Sequence, residues 1–219
     1  MESSVSASAK TREVDEIVTI DVTADGARVG RRGADTRERI LSVATGMFYA
    51  GGIRGTSADR IIEQVGITRV TFYRHFRTKT ELVVAYLESQ AAQERAAIAA
   101  ATEARSGKDA LLAIAGMIGT ASCMPGFRGC PFINAGAEIP DPEDPIRVVV
   151  ERHRQWTRDL FAELAGDAGA VDARATSGQV MMLRDGAMVG GYLEDPQDVA
   201  AELQSAFSAV ISAGSEPRA

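Results

Sequence analysis

The chain is predicted to be all-α, on three observations. Apolar residues recur at spacings of three and four from Ile40 onward, the period of a helix with one buried face. No stretch beyond Leu82 alternates apolar and polar residues as a half-buried strand would. Gly51-Gly52, Gly66, Gly107 and Met124-Pro125-Gly126 divide the periodic stretches into separate helices. The expected organisation is an extension over 1–33, a three-helix unit over 34–80, a larger helical domain over 81–214 and a tail over 215–219.

Composition narrows the function classes. A chain of 219 residues, 45% of them apolar, is long enough for one large or two small domains. No apolar run approaches the ~18 residues of a membrane span, and the N-terminus lacks an apolar signal core, so no membrane association and a cytoplasmic location are expected. Two cysteines seven positions apart make no disulfide framework, and no Cys/His cluster has zinc-ligand spacing. With no nucleophile–base pair, metal set or phosphate loop in view, no catalytic residue, metal or cofactor is assigned.

The extension is Ser- and Ala-rich, then acidic, then Gly-Arg-Arg-Gly. Ile17 to Val22 has the look of a weak strand, but a lone strand has nothing to pair with, which favours disorder. The alternative is a basic arm in which Arg28, Arg31 and Arg32 reach into a minor groove. The first helix is expected to begin near Asp35, a cap with Glu38 three residues on. It carries Ile40, Leu41, Ala44, Met47 and Phe48 on one face and stops at Gly51-Gly52.

Residues Gly55 to Leu82 then read as two short helices around a tight turn. Thr56 or Ser57 caps the first of them, and Ile61, Ile62 and Val65 supply its apolar face. Gly66 ends it, because glycine enters the left-handed region without a Cβ clash and lets the chain reverse before a second cap at Thr68. In the next helix Phe72 and Phe76, four apart, share the inner face. Arg69, Thr71, Tyr73, Arg74 and His75 fall on the remaining surface, as in a helix that reads base edges from its N-terminal residues and binds phosphates with hydroxyl, phenol and imidazole groups. Thr78-Lys79-Thr80-Glu81 is a capping box that opens another helix and puts Lys79 in its first turn, where free amides and an ammonium group together suit one phosphate.

Charge agrees with a nucleic-acid face. From Arg31 to Thr80 there are ten Lys or Arg against four acids, a formal balance of about +6. The whole chain is −6, so the rest sums to about −12. A local positive field steers DNA to one end while the acidic remainder resists non-specific coating.

On these residues the segment from Thr36 to Leu82 resembles the N-terminal DNA-binding domain of the tetracycline-repressor (TetR) family of bacterial transcription regulators. The likeness is carried by TRERILSVATGMFYAGGIRGTS, EQVGITRVTFYRHF and RTKTEL, about a fifth of the chain. It implies phosphate or base contacts from Thr56, Ser57, Arg69, Thr71, Tyr73, His75 and Lys79 to a double-stranded DNA operator. It also implies a homodimer and an all-helical C-terminal ligand-binding and dimerisation domain. The expected function is a repressor released from its operator by a small ligand or by modification of a cysteine, with activation as the alternative sign. Val70 departs from the pattern, standing where the family often has glycine or proline.

Beyond Leu82 an apolar stripe and an alanine-rich run extend a long linking helix to about Ala104. Further helices are expected over about 109–121, from after Pro145 through Trp156 to Leu164, over about 171–193 and over about 196–212. The last two are the candidate dimer interface. Gly178, Gly186 and Gly190 would allow close helix approach, and Val199, Leu203, Phe207, Val210 and Ile211 make a continuous stripe; the other reading turns both helices toward their own core.

Arg128-Gly129-Cys130-Pro131-Phe132 carries the most chemistry of this domain. Proline suits the first helical position, which makes Cys130 the N-cap, near a helix dipole and Arg128. Those conditions favour a reactive thiol, and similar Gly-Cys elements occur in family members that answer to electrophiles or oxidants, with Cys123 as a resolving partner here. The competing reading is a small buried hydrophobe. Met117, Phe132 and Trp156 are the further candidates for contact with an apolar or electrophilic effector, while His153, among Glu151, Arg152 and Arg154, reads as solvated.

Overall fold

The structure, a computed structural model, describes residues 28–215, with side chains described from Ala34 onward. The expectations for Ile17 to Val22, and for the side chains of Arg28, Arg31 and Arg32, lie outside the described residues. Among the described residues there are nine helices and no strand, so the fold is all-α with an N-terminal helix-turn-helix unit and a C-terminal helical domain.

Helix α1 spans Arg28–Gly51, starting earlier than the cap at Asp35 suggested. Gly30 and Gly33 lower local helix propensity, which is why the sequence pattern alone starts the helix later. Helices α2 (Ala58–Val65) and α3 (Arg69–His75) form the turn motif, and α4 (Lys79–Thr102) leaves it as the long link. Then follow α5 (Gly107–Ser122), α6 (Pro131–Glu138), α7 (Pro145–Asp167), α8 (Ala173–Leu193) and α9 (Pro196–Gly214). Proline at the first turn of α6, α7 and α9 costs nothing, since the amide it lacks has no acceptor there.

Two apolar clusters organise the molecule. The first joins α1, α2, α3 and the start of α4, and it continues through Cys130, Phe132 and Ala135 of the α6 region into Ile146, Val149 and Val150 of α7. The second is built from Ile98 of α4 with α5, the end of α7, α8 and α9. Met188 on α8 packs against both. The reading unit is therefore not separately cored: α6 and α7 complete its interior. Each large apolar side chain buried there contributes about 1.5–3 kcal/mol, and Phe72 and Phe76, both fully buried, fix α3 from below.

The apolar stripe of α9 turns inward. Val199, Leu203, Phe207 and Ile211 are buried in the second cluster and Val210 packs on its edge, so this stripe is core rather than the exposed interface considered above. The free face belongs to α8, where Gly178, Met182, Gly186 and Val189 lie exposed on one side.

Candidate nucleic-acid interface and effector cavity

The turn motif is built by its caps. Ser57 adopts an extended backbone and its hydroxyl accepts the Arg60 amide at 3.2 Å, which starts α2. Gly66 at φ 71° closes it with its own amide on Ile62 and Glu63 carbonyls. Thr68 then caps α3, accepting the Thr71 amide at 3.1 Å, with the two threonine hydroxyls 2.9 Å apart. Thr78 accepts the Glu81 amide at 3.0 Å while the Glu81 carboxylate accepts the amide of Arg77, one residue before the cap, at 2.8 Å, a variant of the expected capping box at the head of α4.

On the outer face of α3, Val70 is 79% exposed and Tyr73 42%, its ring edge-on to Phe72. Arg69 is paired with Asp59 of α2, both well exposed. An exposed pair of this kind contributes at most about 1 kcal/mol, so a base edge or phosphate competes for the guanidinium at small cost. His75 is half-buried and its Nε2 has no hydrogen-bond partner within the protein. The Lys79 ammonium donates to the Ile53 carbonyl at 2.5 Å; partial burial lowers its pKa, with Glu138 opposing the shift. Thr56 is the exception in the expected set. Its side chain is buried and its hydroxyl donates to the Met47 carbonyl at 3.1 Å, so it ties α2 to α1 and offers DNA no free hydroxyl. Val70 was not singled out as a contact from the sequence, although a valine flanked by Arg69 and Thr71 on the outer face is itself the signal.

Within the C-terminal domain, α4, α5, α6, α7 and α8 enclose a partly open cavity of about 290 Å³. Its walls are mainly apolar, with Ile98, Ile114, Met117 and Phe161 among them, and its polar side is Glu94, Cys130 and Arg184 with Tyr49, Gln90 and Thr157. Cys130 is the N-cap of α6 as expected, but its thiol makes no capping bond. Its Sγ is buried and lies 3.5 Å from both Nη1 and Nη2 of Arg184. Arg128, the cation expected beside it, instead lies over the Tyr192 ring at 4.9 Å. Cys123 is exposed and Cys130 buried, and both are free thiols.

Arg184 was missed by sequence reasoning. It is 2% exposed and holds Glu94 at 3.1 Å through Nη2 and Asp185 at 3.0 Å through Nη1, and Asp185 also takes Arg154 at 2.6 Å. His153 corrects an expectation of solvation: it is buried, stacked 3.7 Å from Phe132 and tilted against Trp156, with Nε2 3.2 Å from Glu94 Oε2. That contact is within ion-pair distance, and Nδ1 has no hydrogen-bond partner within the protein. Burial alone would raise the Glu94 carboxyl, but His153 and the Arg184 charge outweigh it and hold the group below the usual carboxylate range. Of the four expected effector contacts, Met117 and Cys130 line the cavity. Phe132 and Trp156 do not line it; both pack on His153 instead.

A capped helix-turn-helix with an exposed basic and aromatic outer face, continuous with a helical domain that holds a cavity, defines a DNA-binding transcription regulator. The family profile described as "Bacterial regulatory proteins, tetR family" matches residues 40–86. The solved TetR-family regulator SCO4454 of Streptomyces coelicolor is 40% identical, with a TM-score of 0.81 over 84% of this chain and 97% of that one. LmrA of Bacillus subtilis, an HTH-type transcriptional regulator, is 29% identical over 147 residues, 64% of this chain and 77% of that protein. TtgR of Pseudomonas putida, also an HTH-type regulator, is 39% identical over 62 residues, 28% of this chain and 30% of that protein. This chain belongs to the TetR family. Among the described residues no helix is long and apolar enough to cross a membrane.

Proposed function

We propose that this regulator is a homodimeric repressor that leaves its operator when a small, largely apolar and neutral molecule enters the cavity beside Cys130, or when an electrophile modifies that sulfur. The observation that carries the reading is the cavity itself: apolar walls with one buried thiol held under a guanidinium fork. Arg184 is already neutralised by Glu94 and Asp185, so an anionic ligand gains little there and would bring a buried charge with no partner. In the covalent case Cys130 Sγ adds to the β-carbon of an α,β-unsaturated carbonyl and the thiol proton ends on the α-carbon, with no redox partner required.

DNA contact falls to Ser57, Arg69, Thr71, Tyr73, His75 and Lys79 by side chain, with Thr56 restricted to its backbone. Val70 adds an apolar contact suited to a thymine methyl. Two copies are needed because a single α3 reads only one groove segment, whereas a two-fold operator presents two.

The test starts by selecting duplexes from a random-sequence pool and measuring their affinity by fluorescence anisotropy. Neutral aromatic and aliphatic compounds are then compared with their carboxylate analogues, alongside N-ethylmaleimide. Release by the neutral series and by the maleimide is expected, with Cys130→Ser abolishing only the maleimide response. Should no compound of either series lower DNA affinity, and should filling the cavity by Met117→Trp leave it unchanged, the C-terminal domain is a dimerisation module without ligand control.

A further inference from the structure

The two ends of α6 touch different machinery. At its start, Cys130 lines the cavity, and the preceding backbone is fastened to α1: the Tyr49 hydroxyl donates to the Gly129 carbonyl at 3.0 Å and accepts the Arg128 amide at 2.8 Å. Tyr49 also lines the cavity. At its end, the Glu138 carboxylate reaches the turn between α1 and α2. Oε1 accepts the Ile53 amide at 2.8 Å and Oε2 the Arg54 amide at 2.6 Å.

Charge-assisted bonds to two successive amides are among the stronger contacts a side chain makes, and here they connect residues about 85 positions apart. The turn is shaped to admit them. Gly52 sits at φ +78°, and a Cβ there would lie 3.0 Å from Glu138 Oε1. The same Ile53 offers its carbonyl to Lys79 at the head of α4. Three residues beyond Arg54 the chain becomes the N-cap of α2. One carboxylate thus positions the entry to the first helix of the DNA-reading motif and, through Ile53, the lysine that opens α4.

We propose that Glu138 is a positioning residue for DNA recognition, and that α6 is a strut through which the state of the cavity at Cys130 is felt at the α1–α2 turn. The strut spans eight residues, about 12 Å at 1.5 Å per residue. The inference rests on the reading that the cavity controls DNA binding, and it assigns the contact that transmits that control.

A double-mutant cycle in DNA affinity tests it with the duplex recovered by selection. Cys130→Met extends a side chain into the cavity, and Glu138→Ala removes the latch. Cys130→Met is expected to weaken binding about fivefold in the Glu138 protein and less than about twofold in the Glu138→Ala background. Hydrogen exchange supplies a second readout: the Ile53 and Arg54 amides should exchange about tenfold faster in Glu138→Ala, with α9 amides unchanged.

Equal factors in the two backgrounds, including no effect in either, overturn the proposal, as does unchanged exchange at Ile53 and Arg54. If Glu138→Ala loses its cooperative melt, Glu138→Gln takes its place, since its single amide oxygen retains one of the two acceptors and should keep an intermediate coupling. The cycle uses no effector, so its outcome stands apart from whether any compound releases DNA.

Discussion

At the scale of single residues, Glu94 and Arg184 decide the character of the C-terminal domain. Both occupy helix positions that continue a buried stripe, Leu87, Ala91, Glu94 and Ile98 on α4 and Val180, Met181, Arg184 and Ala187 on α8. An isolated charge at either place would be strongly destabilising, whereas the pair satisfies itself. Glu94→Gln should therefore cost about 3 kcal/mol at neutral pH, measured by urea unfolding. The sign of its pH dependence follows from the lowered carboxyl in the folded chain. Stability from Glu94 is present above the unfolded-state value of about 4.3 and is lost as pH falls through the lower folded value. The gap between wild type and Glu94→Gln should accordingly narrow in acid, and a gap that stays constant to pH 3 would contradict the assignment. His153 shows why these residues escaped the sequence reading. Between Glu151, Arg152 and Arg154 it looks solvated, but charge in a linear string says nothing about which helical face a residue occupies, and His153 faces Phe132 and Trp156.

At the scale of elements, the helices were legible where caps and period agree. Ser57, Gly66, Thr68 and Thr78 all cap or end a helix as their side-chain chemistry requires, and Phe72 and Phe76 face inward together. The reading failed where a side chain's partner is remote in sequence. Thr56 and Ser57 are equally good caps on local grounds, and only the carbonyl of Met47 decides between them. Likewise the stripe on α9 is as apolar as an interface, and packing against α5 and α8 makes it core. For α3 the division of labour is testable. Tyr73→Ala should weaken all duplexes by a similar factor through a lost phosphate contact, whereas Arg69→Ala should change base preference by about 1–3 kcal/mol at one position. Equal loss on matched and scrambled duplexes in the Arg69 variant would place that guanidinium on the backbone.

At the scale of the whole molecule, two features shape its behaviour toward DNA. The positive balance is confined to the reading unit while the chain as a whole is −6, so association with the operator should depend steeply on salt even though the protein is acidic. The exposed face of α8, with Met182 at 68% and Val189 at 46% exposure between small residues, is the surface we propose for the second copy. Met182→Glu should shift the protein toward monomer in sedimentation velocity and weaken operator binding in parallel, while an unchanged sedimentation coefficient would move the interface elsewhere.

The self-neutralising cluster around Arg184 has a practical corollary. Because the ionic partners satisfy one another, the greasy wall opposite them can be redrawn one side chain at a time without disturbing the local electrostatics. If the proposed cavity control holds, someone adapting this protein as a biosensor would randomise Ile114, Met117 and Phe161, leave Glu94 and Arg184 alone, and retain Glu138 as the proposed link to the reading head.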